Sequence, residues 1–210
     1  MDPDAAREHM LEHDLAGRGI RDRAVLEAMA AVPRELFVPR RLRRWAYADR
    51  PLSIGRGQTI SQPYVVARML ELLELRPDSR VLEVGAGSGY AAALLARLAG
   101  EVHAVERHGR LATRARRALA RLGSPAVVHH ADGREGWPSA APYDAILLSA
   151  ATGSLPPALL EQLAPGGRLV APVGDAEAQE LVRIVRDQDG FSKRAFGSVR
   201  FVPLLAGKAR

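Results

Sequence analysis

A strand-like apolar run that leads directly into a glycine-rich turn and then a helical stretch restricts the fold of this chain more than any other feature. The segment reads Val81-Leu82-Glu83-Val84-Gly85-Ala86-Gly87-Ser88-Gly89-Tyr90. Glycine suits such a turn because a tight turn uses positive φ and lets the backbone approach a ligand that a Cβ would obstruct. The pattern predicts an α/β domain that binds a ligand beside this turn.

The spacing of the glycines excludes two common nucleotide-binding loops. A dinucleotide fingerprint, G-x-G-x-x-G, would need glycine at position 90, but the sequence has Tyr90 there and its third glycine is Gly89. The Gly-Lys-Ser/Thr ending of a triphosphate-binding loop is also absent. Glu83, just before the turn, would repel a phosphate but attract an ammonium group, such as that of a methionine moiety.

Two more acids follow predicted strands. Glu106 ends the second strand, at about the distance from the first glycine that suits an acid accepting hydrogen bonds from a ribose diol. Asp132, followed by Gly133, ends the third strand, within reach of an adenine amino group. Ligands of open parallel sheets bind at the carboxyl edge, so we expect these acids to converge there with Glu83. One strand-end acid is common; the three together predict a pocket for S-adenosylmethionine.

The rest of the chain alternates helical stretches with short β-branched runs, as in βα units around a parallel sheet. The predicted strands are Arg80 to Val84, Val102 to Glu106, Ala126 to His130, Asp144 to Ser149, Arg168 to Val173, Glu180 to Val185 and Val199 to Leu205. The predicted helices of this part are Tyr64 to Leu75, Tyr90 to Ala99, Leu111 to Leu122 and Pro156 to Leu163. A turn at residues 187–190 joins the last two strands, which suggests an antiparallel edge.

The N-terminal part is predicted to be helical. Apolar residues recur at helical spacing between Val25 and Val32 and form a stripe that must pack on something larger. We therefore interpret residues 1–50 as a helical cap on a core of residues 51–210, within one domain.

Composition narrows the setting and the partners. The net charge is +6, but 28 of the 30 basic residues are arginines spread along the chain, so we expect no nucleic-acid partner. The chain has no cysteine, an acidic start without an apolar signal region, and no apolar run long enough for a bilayer, which favours a soluble cytoplasmic protein. His9 and His13 match an H-x-x-E-H pattern, which we interpret as coincidental; we expect no metal site.

Several stretches match the motifs of one known family. They are residues 32–39, 46–52, 54–63, 85–90, 132–133 with 136–138, 163–170 and 199–204. The most specific is Ile54-Gly55-Arg56-Gly57-Gln58-Thr59-Ile60-Ser61-Gln62-Pro63. Together they resemble the protein-L-isoaspartate (D-aspartate) O-methyltransferases. The resemblance covers nearly the whole chain and implies a Rossmann-like class I methyltransferase fold, with a mostly parallel seven-stranded sheet.

The resemblance implies a repair reaction. The family methylates the α-carboxylate of isoaspartyl residues in damaged proteins, using S-adenosyl-L-methionine and releasing S-adenosyl-L-homocysteine, and we expect a monomer. Ser61 corresponds to the family's active-site serine, beside Thr59 and Ile60. The matching cofactor-pocket positions are Thr59, Ile60, Ser61, Glu83, Gly85, Ala86, Gly87, Gly89, Glu106, Arg107, Asp132 and Gly133. Ala131, in place of glycine, and residues 149–152 depart from the family pattern and affect adenine packing rather than the reaction.

The chemistry of the residues is compatible with this reaction, and alternatives stay open. A carboxylate is already ionised at neutral pH, so the nucleophile needs no general base, and a neutral hydroxyl such as that of Ser61 could position it. Ser61 could instead be a helix N-cap ahead of Pro63. The chain could also methylate an ordinary aspartate of a peptide in a biosynthetic pathway, or be an inactive binding module.

Overall fold

A sheet of seven strands forms the centre of the molecule, which the computed structural model describes over residues 2–209. The strands of the chain are β1 (Leu52–Gly55), β2 (Gln58–Ile60), β3 (Arg80–Val84), β4 (Glu101–Glu106), β5 (Val127–His130), β6 (Tyr143–Leu148), β7 (Leu163–Gly174), β8 (Gln179–Asp187) and β9 (Gly190–Val199). The sheet has the order β5-β4-β3-β6-β7-β8-β9, and β1 and β2 form a separate hairpin. Strands β3 to β7 pair in parallel, whereas β8 and β9 pair antiparallel. The predicted fold class is confirmed.

The order in which successive strands are added to the sheet reverses at β3. This strand pairs in parallel with β4 on one side and with β6 on the other. Such a reversal leaves a crevice beyond the carboxyl ends of the two strands, where no crossover connection covers the sheet. The predicted ligand site lies at this edge.

Helices cover the sheet. They are α1 (Pro3–His9), α2 (Arg23–Ala31), α3 (Pro63–Leu73), α4 (Tyr90–Leu98), α5 (Gly109–Arg121) and α6 (Pro157–Glu161). Side chains alternate across a strand, so Val81 and Leu82 of β3 belong to two different apolar clusters. Within residues 2–209, no helix combines the length and the apolar character needed to cross a membrane.

The N-terminal region is helical, in short pieces. A π-helical stretch, Met10–Leu15, continues α1, and 3-10 segments follow α2 at Arg34–Phe37 and Arg40–Trp45. Met10 and Met29 are fully buried in the apolar cluster that contains Leu94 of α4. The region therefore packs on the helical layer; its separation as a cap from residues 51–210 remains a prediction.

The predicted seventh strand, Val199 to Leu205, is wrong. The true strand, β9, begins at Gly190, directly after the tight turn, where Asp187 and Gly190 pair. Residues 202–204 instead cross the carboxyl edge of the sheet, and the N–H of Leu204 donates to the carbonyl of Ala151 at 2.7 Å. Their apolar side chains line the strand-end side of the sheet, where Val202 and Leu204 are half-buried, and they form no strand of the sheet.

Two other differences concern short elements. The hairpin β1–β2 was not predicted, because strands of four and three residues carry too little periodicity. The helix predicted over Pro156 to Leu163 ends at Glu161, and Leu163 already begins β7.

Candidate active site

Three neighbouring clefts form one continuous depression at the carboxyl edge of the sheet. The loop cleft is lined by Glu83 and the glycine turn, and the strand-end cleft by Glu106, Arg107, His108 and Gly133. The outer cleft, of about 360 Å³, is lined by Ser61, Gln62 and residues 198–202. Thr59 and Ser149 line all three clefts, and Ser61 lines the loop and outer clefts. A ligand in the first two clefts would therefore meet one in the third beside these hydroxyls.

The glycine turn needs its unusual backbone. Gly85 and Gly87 have φ values of 92° and 53°, a region that side chains with a Cβ rarely adopt. The amides of Gly85 and Ala86 both donate to the carbonyl of Val105, at 2.8 and 3.0 Å. The turn is thus fixed against the end of β4, and Gly89 follows as the N-cap of α4.

Glu106 fastens the turn from the neighbouring strand. It is 5% exposed, and its carboxylate accepts hydrogen bonds from the amides of Gly87 at 2.8 Å and His108 at 2.7 Å. Each carboxylate oxygen has a further lone pair, so Glu106 can still accept hydrogen bonds from a ligand in the strand-end cleft.

Glu83 is the most unusual acid of the site. It is 1% exposed, and one carboxylate oxygen accepts a hydrogen bond from the Ser149 hydroxyl at 3.2 Å. The other oxygen has no hydrogen-bond partner within residues 2–209. Burial, aided by the charge of Glu106, raises the pKa of Glu83 to about 8. A buried acceptor without a donor, in a cleft, suits a cationic ligand group.

Asp132 and Arg107 hold a later part of the chain. The carboxylate of Asp132 accepts hydrogen bonds from the amides of Arg134 at 2.9 Å and Gly207 at 2.5 Å. Arg107 donates to the carbonyls of Ala206 and Gly207, both at 3.1 Å. Arg107 lines the strand-end cleft, but Asp132 lines none of the three clefts. The structure thus brings Glu83 and Glu106 to neighbouring clefts, whereas Asp132 does not line them.

Gly133 has a steric role. A Cβ at this position would lie 2.6 Å from Cγ1 of Val84, at the end of β3. Only glycine allows the chain after β5 to approach the central strand this closely. It is also a wall of the strand-end cleft.

The hairpin β1–β2 covers the glycine turn and carries Thr59 and Ile60 to the site. Cδ1 of Ile54 lies 3.2 Å from the place a Cβ on Gly87 would occupy, and Arg114 donates to the carbonyl of Ile54 at 2.8 Å. Thr59 is exposed to the clefts, whereas Ile60 is 5% exposed and also lines the loop cleft.

Ser61 follows the hairpin, and the helix-cap interpretation of it is wrong. The N-cap position of α3 is occupied by Gln62, whose side chain makes no capping bond. The amide of Tyr64, in the first turn, instead donates to the carboxylate of Asp49 at 2.9 Å. The Ser61 side chain is therefore left to face the clefts.

Sequence reasoning missed His108 and Ser149 as lining residues. Both ring nitrogens of His108 are buried without a hydrogen-bond partner in the described part of the chain, at the strand-end cleft. Its place two residues after Glu106 could have identified it. Ser149 directly follows β6, so its strand-end position was a usable signal too. Together with Glu83, these atoms fit a ligand with a cationic amino-acid end and a polar aromatic end.

Comparison with known proteins identifies close relatives. A sequence model of the family described as protein-L-isoaspartate(D-aspartate) O-methyltransferase matches residues 5–209. A protein-L-isoaspartate O-methyltransferase of Methylorubrum extorquens (strain PA1) is 59% identical over 203 residues, covering 96% of this chain and 89% of the relative.

Two solved structures are also similar. One protein-L-isoaspartate O-methyltransferase, 28% identical, superposes with a TM-score of 0.84 over 94% of this chain and 65% of its own. Another, from Plasmodium falciparum and in complex with S-adenosyl-L-homocysteine, is 26% identical, with a TM-score of 0.81 over 98% of this chain and 99% of its own.

Proposed function

The chain belongs to the protein-L-isoaspartate(D-aspartate) O-methyltransferase family, and from this premise we propose that it repairs damaged proteins by methyl transfer. The acceptor is the free α-carboxylate of an L-isoaspartyl residue. The methyl ester then cyclises to a succinimide without help, and hydrolysis returns part of the material to aspartate. The observation that carries this proposal is the meeting of the loop, strand-end and outer clefts at Thr59 and Ser149.

S-adenosyl-L-methionine is the cofactor, and S-adenosyl-L-homocysteine is its product. The unpartnered oxygen of Glu83 is a suitable acceptor for the ammonium group of the methionine part. Glu106 is placed to accept from the ribose, and His108 to bind the nucleoside. When bound, the sulfonium supplies an electrophilic methyl group.

The chain's own residues position the acceptor and exclude water. Ser61 donates a hydrogen bond to the substrate carboxylate from the border of the loop and outer clefts. No general base is required, because the carboxylate is already ionised near neutral pH. Attack on a sulfonium cancels opposite charges, so a neutral donor holds the acceptor without over-stabilising its ground state. Most of the rate then comes from alignment of the reacting atoms.

A paired-peptide assay tests the proposal. One peptide carries an isoaspartyl residue, and its twin has a normal aspartyl residue in the same sequence. We expect methyl transfer from radiolabelled S-adenosylmethionine to the first peptide alone. Methylation of the aspartyl twin would favour a carboxyl methyltransferase of a biosynthetic pathway, and no transfer to either peptide would favour an inactive binding module.

We also propose that the protein acts as a monomer in the cytoplasm, without nucleic acid. The dispersal of its arginines along the chain supports the last point. Light scattering coupled to size exclusion should give about 22.7 kDa. A mass twice as large, or retention of duplex DNA or RNA at physiological salt, would contradict these points.

A further inference from the structure

Arg34 is a fully buried cation in the N-terminal region. Its side chain is 0% exposed, and it contributes to none of the three clefts. Within residues 2–209 its guanidinium bonds no carboxylate, which is costly for a buried cation because neutral acceptors replace its hydration only in part. Burial lowers the pKa of Arg34 accordingly. Packing alone would be served better by an apolar side chain, so the position calls for another explanation.

The hydrogen bonds of Arg34 point to Ser61. Nε donates to the carbonyl of Ala46 at 2.7 Å, and Nη2 donates to the carbonyl of Ser61 at 2.6 Å. The guanidinium lies over the ring of Tyr90, 4.8 Å from its centroid, and Tyr90 begins α4 directly after the glycine turn. The planar fork of arginine can bond two carbonyls in fixed directions while stacking on a ring, which lysine cannot do. Arg34 thus links the Ser61 backbone to the first residue of α4.

The residues after Ser61 are also bonded to the N-terminal region. Asp49 accepts hydrogen bonds from the side chain of Gln62 at 2.6 Å and the amide of Tyr64 at 2.9 Å. Ser61 itself lies between the end of β2 and the start of α3, outside regular structure. Its backbone therefore has neither ladder nor helix bonds to fix it, and residues of the N-terminal region supply the restraint. Nη1 of Arg34 has no hydrogen-bond partner in the described chain. The restraint that Arg34 provides therefore comes from the hydrogen bonds of Nε and Nη2.

We propose that Arg34 is a positioning residue for methyl transfer, which fixes the backbone of Ser61 so that its hydroxyl faces the acceptor carboxylate. This role rests on the proposed function, in which Ser61 holds the substrate. It also gives the N-terminal region a part in the reaction, because the restraint on Ser61 comes from outside the sheet and its edge. A displacement of about 1 Å at a positioning group can lower a rate about a hundredfold, so a backbone tether can matter as much as a contact.

A double-mutant cycle tests the proposal in the full-length protein. Ser61→Ala should lower kcat/KM for an isoaspartyl peptide about ten- to a hundredfold through loss of a bond to a charged group. Arg34→Lys keeps the charge but not the fork, and it should lower kcat about tenfold. In the Ser61→Ala background the same change should lower kcat less than about twofold, because the hydroxyl it positions is gone. The dissociation constant of S-adenosylhomocysteine should be unchanged throughout.

Arg116→Lys is the matched control. Arg116 also donates to a backbone carbonyl, that of Val128 at 2.9 Å, but lines none of the clefts. It should leave kcat unchanged in both backgrounds. Hydrogen exchange gives a second readout: the amide of Gln62, which shares a peptide group with the Ser61 carbonyl, should exchange faster in Arg34→Lys than in Arg116→Lys.

Each result of these experiments either supports or overturns the positioning role of Arg34. Equal losses from Arg34→Lys with and without the Ser61 hydroxyl would show a general structural role and overturn the proposal, as would wild-type kcat in Arg34→Lys. Failure of both Arg34→Lys and Arg34→Gln to fold would also overturn it, since Arg34 would then be needed for folding itself. Wild-type activity in Ser61→Ala would overturn both roles, whereas methylation of the isoaspartyl peptide by the unaltered protein would still uphold the proposed function.

Discussion

At Glu83 a buried carboxylate has one oxygen bonded to Ser149 and the other without a donor in residues 2–209. Its pKa of about 8 means that the acid is mostly protonated at pH 7 in the free protein. An ammonium group brought to this oxygen favours the ionised form. Because binding and ionisation of Glu83 are then linked, we expect binding of the cofactor or its product at pH 7 to release about one proton.

Calorimetry of S-adenosylhomocysteine binding in buffers of different ionisation enthalpy measures this proton. Glu83→Gln should bind more weakly and release no proton. Equal proton release by the wild type and Glu83→Gln would show that the proton comes from a group other than Glu83.

The same shift makes stability depend on pH. The pKa of Glu83 in the folded protein, about 8, lies above the ordinary glutamate value of 4.5. The folded state therefore keeps a proton that the unfolded chain gives up, and the resulting stabilisation is complete below about pH 4.5 and is lost as the pH rises towards 8. Urea unfolding of the wild type and Glu83→Gln across this range should show the wild type losing free energy of unfolding relative to the variant. A difference that does not vary with pH would contradict the shift.

We predict that Asp132 supports the cofactor pocket through the backbone. Asp132→Ala loses the bonds to the amides of Arg134 and Gly207, which loosens the segment beside the strand-end cleft. We expect S-adenosylhomocysteine to bind about tenfold more weakly, as measured by calorimetry. Asp144→Ala is the control: Asp144 accepts from the amide of Arg80 at 2.8 Å, at the opposite edge of the sheet. An unchanged affinity in Asp132→Ala would show that Asp132 does not support the pocket.

Residues near the glycine turn could be predicted, because strand ends and φ-demanding glycines leave local patterns. Glu83 and Glu106 lie where the spacing places them. Two other features could not be predicted. These are the hydrogen bond from the Gly207 amide to Asp132 and the hydrogen bond from Arg34 to the Ser61 carbonyl. Both join residues far apart in sequence, so no periodicity of the sequence indicates them.

At the scale of elements, the close approach of the start of α4 to α5 depends on Gly89. A Cβ there would lie 3.1 Å from Cβ of Ala115 in α5, and φ is 89°. Gly123, just after α5, has φ of 63° with nothing within 4 Å of its Cβ position. Gly123→Ala should therefore lower the free energy of unfolding by about 1 kcal/mol from backbone strain alone.

Gly89→Ala adds crowding to the strain and should cost about 1–3 kcal/mol more. It should also weaken cofactor binding, because α4 begins at the glycine turn. Urea unfolding and calorimetry measure the two effects, and equal stabilities of the two variants would show that α4 and α5 move apart without cost.

The elements of the core were predictable for a physical reason. Strands β3, β4 and β6 place side chains in both apolar clusters, and a helix follows each of β3 and β4, so these strands appear as short apolar runs next to helical patterns. The run at residues 199–205 was misleading, because a segment that lines clefts with half-buried apolar side chains is as apolar as a strand. Only the register of β8 with β9 shows that the ladder uses the residues next to the turn.

At the scale of the whole molecule, we predict that the N-terminal region and the sheet unfold together. The chain has two tryptophans: Trp45 lies in the N-terminal region, and Trp137 stacks on His129 with ring centroids 3.8 Å apart. Because Met10 and Met29 share an apolar cluster with Leu94, loss of one part should expose the other. Fluorescence of Trp45→Phe and Trp137→Phe should give the same urea midpoint after correction for each variant's stability by circular dichroism. An earlier transition of Trp45 would show that the cap is a separate folding unit.

The clefts draw on segments far apart along the chain, from Thr59 and Ser61 to residues 198–205. The ribosome synthesises these segments in order. A nascent chain whose glycine turn has left the ribosome therefore still lacks residues 198–205, which form one wall of both the strand-end and the outer cleft. Such a chain has no enclosed place for the methyl donor. We therefore expect the ability to bind the donor to arise only after the segment beyond β9 has emerged, and we expect unfinished copies neither to sequester the donor nor to modify their neighbours.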